Sequence, residues 1–153
     1  MRIGVIADTH GFFDPGIVRH FAGVERIIHA GDIGSASIIS QLEAIALGTA
    51  VTGNVDWGGP LDRTYRRTEQ IEYAPYRIHV THIGDHPRKL AEHLPEPRPH
   101  VYIYGHSHVA VIEERDGVVF LNPGAAGKPR FGRQPSVAIL ELDERAHAQI
   151  IRL

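Results

Sequence analysis

The sequence predicts a mixed α/β (α+β) chain in which two β-sheets lie face to face with helices outside. In its first half short apolar strands alternate with helices, and its second half is almost entirely strands. So many strands in so short a chain do not fit one flat sheet, which makes two stacked sheets the economical arrangement.

Residues 2–7 are a continuous apolar run rich in Ile and Val, the pattern of a strand buried on both faces. Residues 15–21 read as a short helix, 25–29 as a second strand, 35–47 as a helix capped by Ser35, and 49–52 as a third strand. Short connections between these elements predict parallel pairing through right-handed crossovers. Residues 65–73 and 77–81 form a hairpin around Ala74-Pro75-Tyr76, and 85–93 a further helix. Strands follow at 101–104, 109–115, 118–121, 136–142 and 147–153, with Asp116-Gly117 as the tight turn between two of them. Pro95, Pro97 and Pro99 read as a stiff loop, and no repeat or linker divides the chain, so residues 1–153 are expected to form one domain.

Composition narrows the function classes. A hydrophobic content of 42% and a charged content of 22% are ordinary for a globular domain. The absence of Cys removes disulfides, thiolate metal sites and Cys nucleophiles together, and fits a reducing compartment. The first apolar run is too short for a signal-peptide core or a membrane span, so a soluble cytoplasmic protein without membrane contact is expected. A net charge of −2 gives no general attraction for nucleic acid. The 11 His are unusually many for this length and invite a metal hypothesis that their positions must decide.

Metal-ligand residue types fall at the C-terminal ends of successive strands. Asp8 and His10 follow the first, Asp32 the second, Asn54 the third, His82 the 77–81 strand, and His106 with His108 the 101–104 strand. Strand C-termini form the rim where α/β sheets bind ligands, so these residues are expected to converge. Within each of the pairs Asp8/His10 and His106/His108, the i,i+2 spacing in an extended segment would aim both side chains to one side. Gly11, Gly31, Gly53 and Gly105 flank the same positions and allow sharp turns. Imidazole, carboxylate and amide donors without sulfur suit Mn, Ni, Fe, Co or Zn. Seven donors exceed what one ion needs, so two divalent ions are expected, manganese foremost, with Asp32 as the bridging carboxylate. Two such ions against two carboxylates and a bridging hydroxide leave a net positive charge suited to a phosphoryl oxygen.

These residues resemble those of the calcineurin-like metallophosphoesterases, in particular the small bacterial and archaeal phosphodiesterase branch, over nearly the whole chain. The family pattern appears as Asp8-Thr9-His10, Gly31-Asp32, Gly53-Asn54-Val55-Asp56, His82 and Gly105-His106-Ser107-His108, followed by Asn122-Pro123-Gly124. The resemblance implies a four-layer αββα sandwich of two mixed β-sheets. It implies one ion at Asp8, His10, Asp32 and His108, and the other at Asp32, Asn54, His82 and His106. The implied activity is hydrolysis of a small phosphate ester, most simply a diester, by a hydroxide bridging the ions. Where many members carry a leaving-group His after the Asn, this chain has Val55, which cannot donate a proton. Asn54 and Asp56 are therefore the candidate catalytic side chains, Asn54 orienting substrate and Asp56 assisting departure or positioning a ligand.

Weaker candidates are His29 as a group orienting a ligand, His86 and Arg88 as phosphate contacts, Lys128, Arg130 and Arg133 as a basic lid, and Phe12 and Trp57 as apolar walls. Two other classes compete with the diesterase reading. One is a non-catalytic scaffold, since a eukaryotic retromer subunit shares the implied fold. The other is a phosphomonoesterase or nucleotide phosphatase. A homo-oligomer is left open by the sequence.

Overall fold

The chain runs through β1 (Arg2–Ile6), α1 (Gly16–His20), β2 (Arg26–Ala30), α2 (Ala36–Glu43), β3 (Gly48–Val51), α3 (Pro60–Thr64), β4 (Thr68–Tyr73) and β5 (Tyr76–Thr81). It continues through α4 (Pro87–Glu92), β6 (Val101–Ile103), β7 (Val111–Arg115), β8 (Val118–Asn122), β9 (Ser136–Leu142) and β10 (Ala146–Arg152). The computed structural model describes residues 1–130 and 132–153. The strands form two five-stranded sheets, ordered β10-β9-β1-β2-β3 and β4-β5-β6-β8-β7. Each is mixed. β1, β2 and β3 are parallel, as are β5, β6 and β8, while β9, β10, β4 and β7 add antiparallel neighbours.

Period-two alternation sorts the side chains into layers. Ile3, Val5 and Ala7 turn toward Ile78, Val80, Val101 and Ile103 of the other sheet and make the central core. Ile6 turns the opposite way, onto Ile17, Phe21, Ile38 and Leu42 of α1, α2 and their flanks. On the far side, Tyr102, Tyr104, Val118 and Phe120 pack against Leu90 and Leu94 around α4. Helix, sheet, sheet and helix therefore stack as four layers, each pair joined by its own apolar cluster. Each fully buried Leu, Ile or Phe contributes about 1.5–3 kcal/mol. Among the described residues no helix is long and apolar enough to cross a membrane.

Several boundaries differ from the sequence expectation for local reasons. Ser35 does cap α2 by accepting from the Ser37 N–H at 3.3 Å, but the helix stops at Glu43, because the chain must turn to enter β3 at Gly48. β4 begins at Thr68, since the Arg66 carbonyl accepts from the Thr52 N–H and Arg67 is clamped by Asp62. The helix α3 was not anticipated. Its Pro60 sits in a Gly-Gly-Pro run that reads as loop, yet Pro is well placed in a first helical turn. The Asp116-Gly117 turn is as expected, with both residues at positive φ.

Candidate metal centre

The parallel strands β1, β2 and β3 of one sheet and β5 and β6 of the other end at the same side of the sandwich, and their loops meet there. The meeting is fixed by main-chain contacts. The Asp8 N–H donates to the Gly31 carbonyl at 3.0 Å, the His10 N–H to Asp32 at 3.0 Å, and the Gly105 N–H to His82 at 2.9 Å. The His106 N–H crosses between sheets to Asp8 Oδ2 at 3.1 Å. Of the described non-glycine residues with positive φ, all but the hairpin residue Asp116 belong to this centre: Asp8, His10, Asp32, His106 and His108 lie between 48° and 69°. The paired residues thus converge through left-handed turns and not through extended geometry. Five side-chain-bearing residues in this sparsely populated region mark a locally over-determined site.

Ligand atoms of Asp8, His10 and His108 lie within 4.8 Å of one another, as do those of Asp32, His82 and His106. Asp8, Asp32 and His82 are buried, His10 and His108 are partly exposed, and His106 is exposed. Each carboxylate has one oxygen tied to the main chain, Asp8 Oδ2 by His106 and Asp32 Oδ1 by the Val55 N–H at 3.1 Å. The other oxygen of each faces the rings. Asp8 Oδ1 is 3.2 Å from His108 Nε2, 3.8 Å from His82 Nε2 and 3.9 Å from His10 Nε2. Asp32 Oδ2 is 3.2 Å from His82 Nε2 and 3.6 Å from His10 Nε2, so it stands between the two groups.

His82 decides how this centre must be filled. Its Nδ1 is 2.7 Å from the Ala30 carbonyl, which can only accept, so Nδ1 carries the hydrogen. In the neutral ring Nε2 then presents a lone pair to the Asp32 and Asp8 oxygens, an acceptor facing acceptors in a buried site. Asp8 Oδ1, His10 Nε2 and His82 Nε2 are all buried without a hydrogen-bond partner. A cation among them relieves that conflict, and the imidazole–carbonyl contact is the support a metal-ligating His usually has. Burial disfavours the charged form of His82, but Asp32, Asp8 and the Ala30 carbonyl outweigh it and raise its pKa above the ordinary value. For His10 burial wins over Asp32 and Asp8, and its pKa falls. Asp32 is pushed up by burial, yet His82 and the Val55 N–H prevail and hold it below the usual carboxylate value. The donor set, its charge and its unmatched atoms fit divalent ions.

A family model for the calcineurin-like phosphoesterase superfamily domain matches residues 1–145. The chain belongs to that superfamily. A probable metallophosphoesterase of Methanothermobacter thermautotrophicus is 36% identical, over 99% of this chain and 92% of its own. A solved archaeal phosphodiesterase superposes with a TM-score of 0.79 at 28% identity, covering all of both chains. A Vps29 from Entamoeba histolytica reaches 0.78 at 21% identity over 100% and 99% of the two chains, a likeness of fold alone.

The superfamily is metal-dependent and acts on phosphate esters, and in this chain supporting groups surround the candidate ligands. Asn54 is exposed, between Gly53 and Val55, which both abut Asp32. Val55 is half exposed at the rim. Asp56 is buried and accepts from the N–H groups of Ile33 at 3.0 Å, Gly34 at 2.9 Å and Gly53 at 2.9 Å. Both its oxygens are thereby engaged, fastening the loop after β2 to the loop after β3. Of the two parts considered for Asp56, these contacts suit positioning better than direct help to a leaving group. Two glycines are sterically required: a Cβ at Gly31, where φ is +93°, would come within 2.6 Å of the His82 ring, and one at Gly53 would collide with Asp32.

His29 proves more than a strand-end filler. Its Nδ1 accepts from the Gly31 N–H at 3.2 Å, so Nε2–H donates to Thr9 Oγ1 at 2.9 Å, and Thr9 passes its own hydrogen to the Ile33 carbonyl at 2.9 Å. This chain of bonds links the loop carrying Asp8 and His10 to the loop carrying Asp32. Burial holds the His29 pKa down at about 3, so the ring is neutral. The Asn122 amide donates to the Gly105 carbonyl at 3.0 Å and to Ser107 Oγ at 3.1 Å, which explains the Asn-Pro-Gly run after β8 as an anchor for the His106/His108 loop. Thr9 carried no sequence signal of this role beyond its place between two ligands. His86 and Arg88 line a separate depression with Lys89 and Arg115. Phe12 stacks under Lys128, and Trp57 under Arg67. A further cluster, Glu141, Asp143 and His147, is a set of solvent-facing ion pairs on the β9–β10 hairpin.

Proposed function

We propose that the chain is a phosphodiesterase that hydrolyses phosphate esters with two divalent ions, manganese foremost among Mn, Ni, Fe, Co and Zn. When bound, the ions supply an acidified water as nucleophile and a positive clamp for the phosphoryl oxygens. Asp8, His10, Asp32 and His108 would hold one, and Asp32, Asn54, His82 and His106 the other. The Ala30 carbonyl keeps the His82 hydrogen on Nδ1 and so presents Nε2 to the centre. Asn54, exposed at the mouth, orients the ester through its amide. Val55 has no proton to give, so departure is unassisted from that position, and esters with good leaving groups are favoured over unactivated monoesters.

The observation that carries this reading is the buried lone-pair conflict at His82, Asp8 and Asp32, which a cation resolves. The completeness of the donor set also favours catalysis over a scaffold role, for which the likeness of fold to Vps29 is the only argument. The test is hydrolysis of bis-p-nitrophenyl phosphate by protein loaded with Mn²⁺ or Ni²⁺. Activity that EDTA abolishes and metal restores is expected, falling as pH drops toward about 6 and the ligand imidazoles protonate. A folded, metal-loaded protein inactive with every divalent ion would leave the scaffold reading in place.

A further inference from the structure

The depression containing Asp8, His10 and His108 does not stop at the histidines. It continues into the loop after β8, where Lys128, Arg130 and Arg133 line it as an open groove. That loop is stitched to the centre. The Ala126 N–H donates to the Ala7 carbonyl at 2.9 Å and the Gly127 N–H to Asp8 at 3.1 Å. Arg133 Nη1 donates to the Ser107 carbonyl at 2.9 Å, between His106 and His108. The Arg133 N–H closes back on Arg130 at 3.0 Å, so the two arginines stand on one tight turn.

Charge balance gives this arrangement a meaning. Among the described residues, the Asp8 carboxylate at the depression is engaged by histidines, and no carboxylate pairs with Lys128, Arg130 or Arg133. A phosphodiester carries one negative charge, which two divalent ions against Asp8, Asp32 and a hydroxide would already balance. Three further cations on one wall exceed that need. Lys offers a point charge and Arg a planar fork, the two forms in which proteins hold phosphate. We infer that this wall is a subsite for a second anion on the substrate, a phosphate carried by the organic part of the ester. The scissile group is the one named above, so the substrate class rests on that reading, whereas the anion subsite itself does not. The natural substrate is then a phosphodiester with an additional phosphate, as in a nucleotide phosphorylated at two positions.

The test compares p-nitrophenyl thymidine 5′-phosphate with the same ester bearing a 3′-phosphate, so that leaving group and scissile phosphate are constant. Wild-type enzyme should prefer the 3′-phosphorylated ester by about ten-fold in kcat/KM, mainly through KM, as loss of a charged contact would cost. In the double variant Lys128→Ala/Arg130→Ala that preference should fall to near unity. Arg133 is left in place because it also holds the His106/His108 loop. Equal efficiency on both esters in the wild type, or a preference that survives in the variant, overturns the subsite while leaving the diesterase reading intact. A second arm needs no turnover: thymidine 3′,5′-bisphosphate is titrated calorimetrically into metal-free protein. Binding that weakens about ten-fold in the variant and with added salt supports the subsite even if neither ester is cleaved, in which case only the diesterase reading is lost. Absence of binding, or binding indifferent to the substitutions, overturns it.

Discussion

On the floor of the centre, Asp8, Asp32 and His82 are between 1% and 3% exposed, and each has one polar atom fixed by the main chain. On its rim, Asn54, Val55, Trp57, Lys128, Arg130 and Arg133 face solvent and rest on few side-chain contacts. The floor is built at strand ends of both sheets and cannot shift without disturbing the core beneath. The rim is loop, and its exposed side chains can vary at little cost to stability. Under the proposed function, chemistry and selectivity are separated in space: buried donors would set what reaction is done, and exposed loops on which ester.

The comparison is broken most forcefully at the floor. His82→Ala removes a proposed buried ligand and should lower bis-p-nitrophenyl phosphate turnover by more than about 100-fold, exceeding the effect typical of supporting residues. A variant that kept a tenth of wild-type turnover at saturating Mn²⁺ would show that His82 is not a ligand. Asp56→Ala tests the layer beneath. It strands buried N–H groups of Ile33 and Gly53, so a loss of about 2–4 kcal/mol in denaturant unfolding is expected together with a 10–100-fold drop in metal affinity. The conservative Asp56→Asn should recover part of both.

His29 sharpens the same contrast through pH. The unfolded chain protonates His29 below its ordinary value of 6.5, but the folded chain resists until about 3. The unfolded state thus binds more protons in that window, and stability falls as pH drops through it, by about 1.4 kcal/mol per unit near its middle. Chemical denaturation of metal-free protein between pH 6.5 and 4.5 should show a shallower slope in His29→Gln, and equal slopes would remove His29 from the account. His82 works in the opposite sense. Its raised pKa means that a proton competes with an ion for Nε2 as pH falls, so metal affinity should climb with pH. The smallest effect belongs to the rim. Val55→His should raise p-nitrophenyl phosphate turnover relative to the diester by about five-fold, well under what an optimally placed general acid provides. An unchanged ratio would mean that position 55 does not face the leaving group.

Much of this architecture was legible in the residues themselves. The strands announced themselves by apolar runs, and the ligand types stood out because they follow those runs, with Gly11, Gly31, Gly53 and Gly105 beside His10, Asp32, Asn54 and His106. What was not legible depends on partners far away in sequence. Nothing near Asp56 says that it grips Ile33 and Gly34, and nothing near Thr9 says that His29 supports it. The reach of the 124–135 segment toward Asp8 and Ser107 is likewise a tertiary fact, written in hydrogen bonds that no local pattern encodes. The short helix α3 was hidden for a different reason, its Gly-Gly-Pro opening being as good a turn as a helix start.

The most direct measurement is anomalous diffraction from crystals soaked in Mn²⁺. Two peaks about 3.5–4 Å apart are predicted, one beside Asp8, His10 and His108, the other beside Asp32, His82 and His106, with Asp32 touching both. A single peak, or density remote from these side chains, would contradict the binuclear centre.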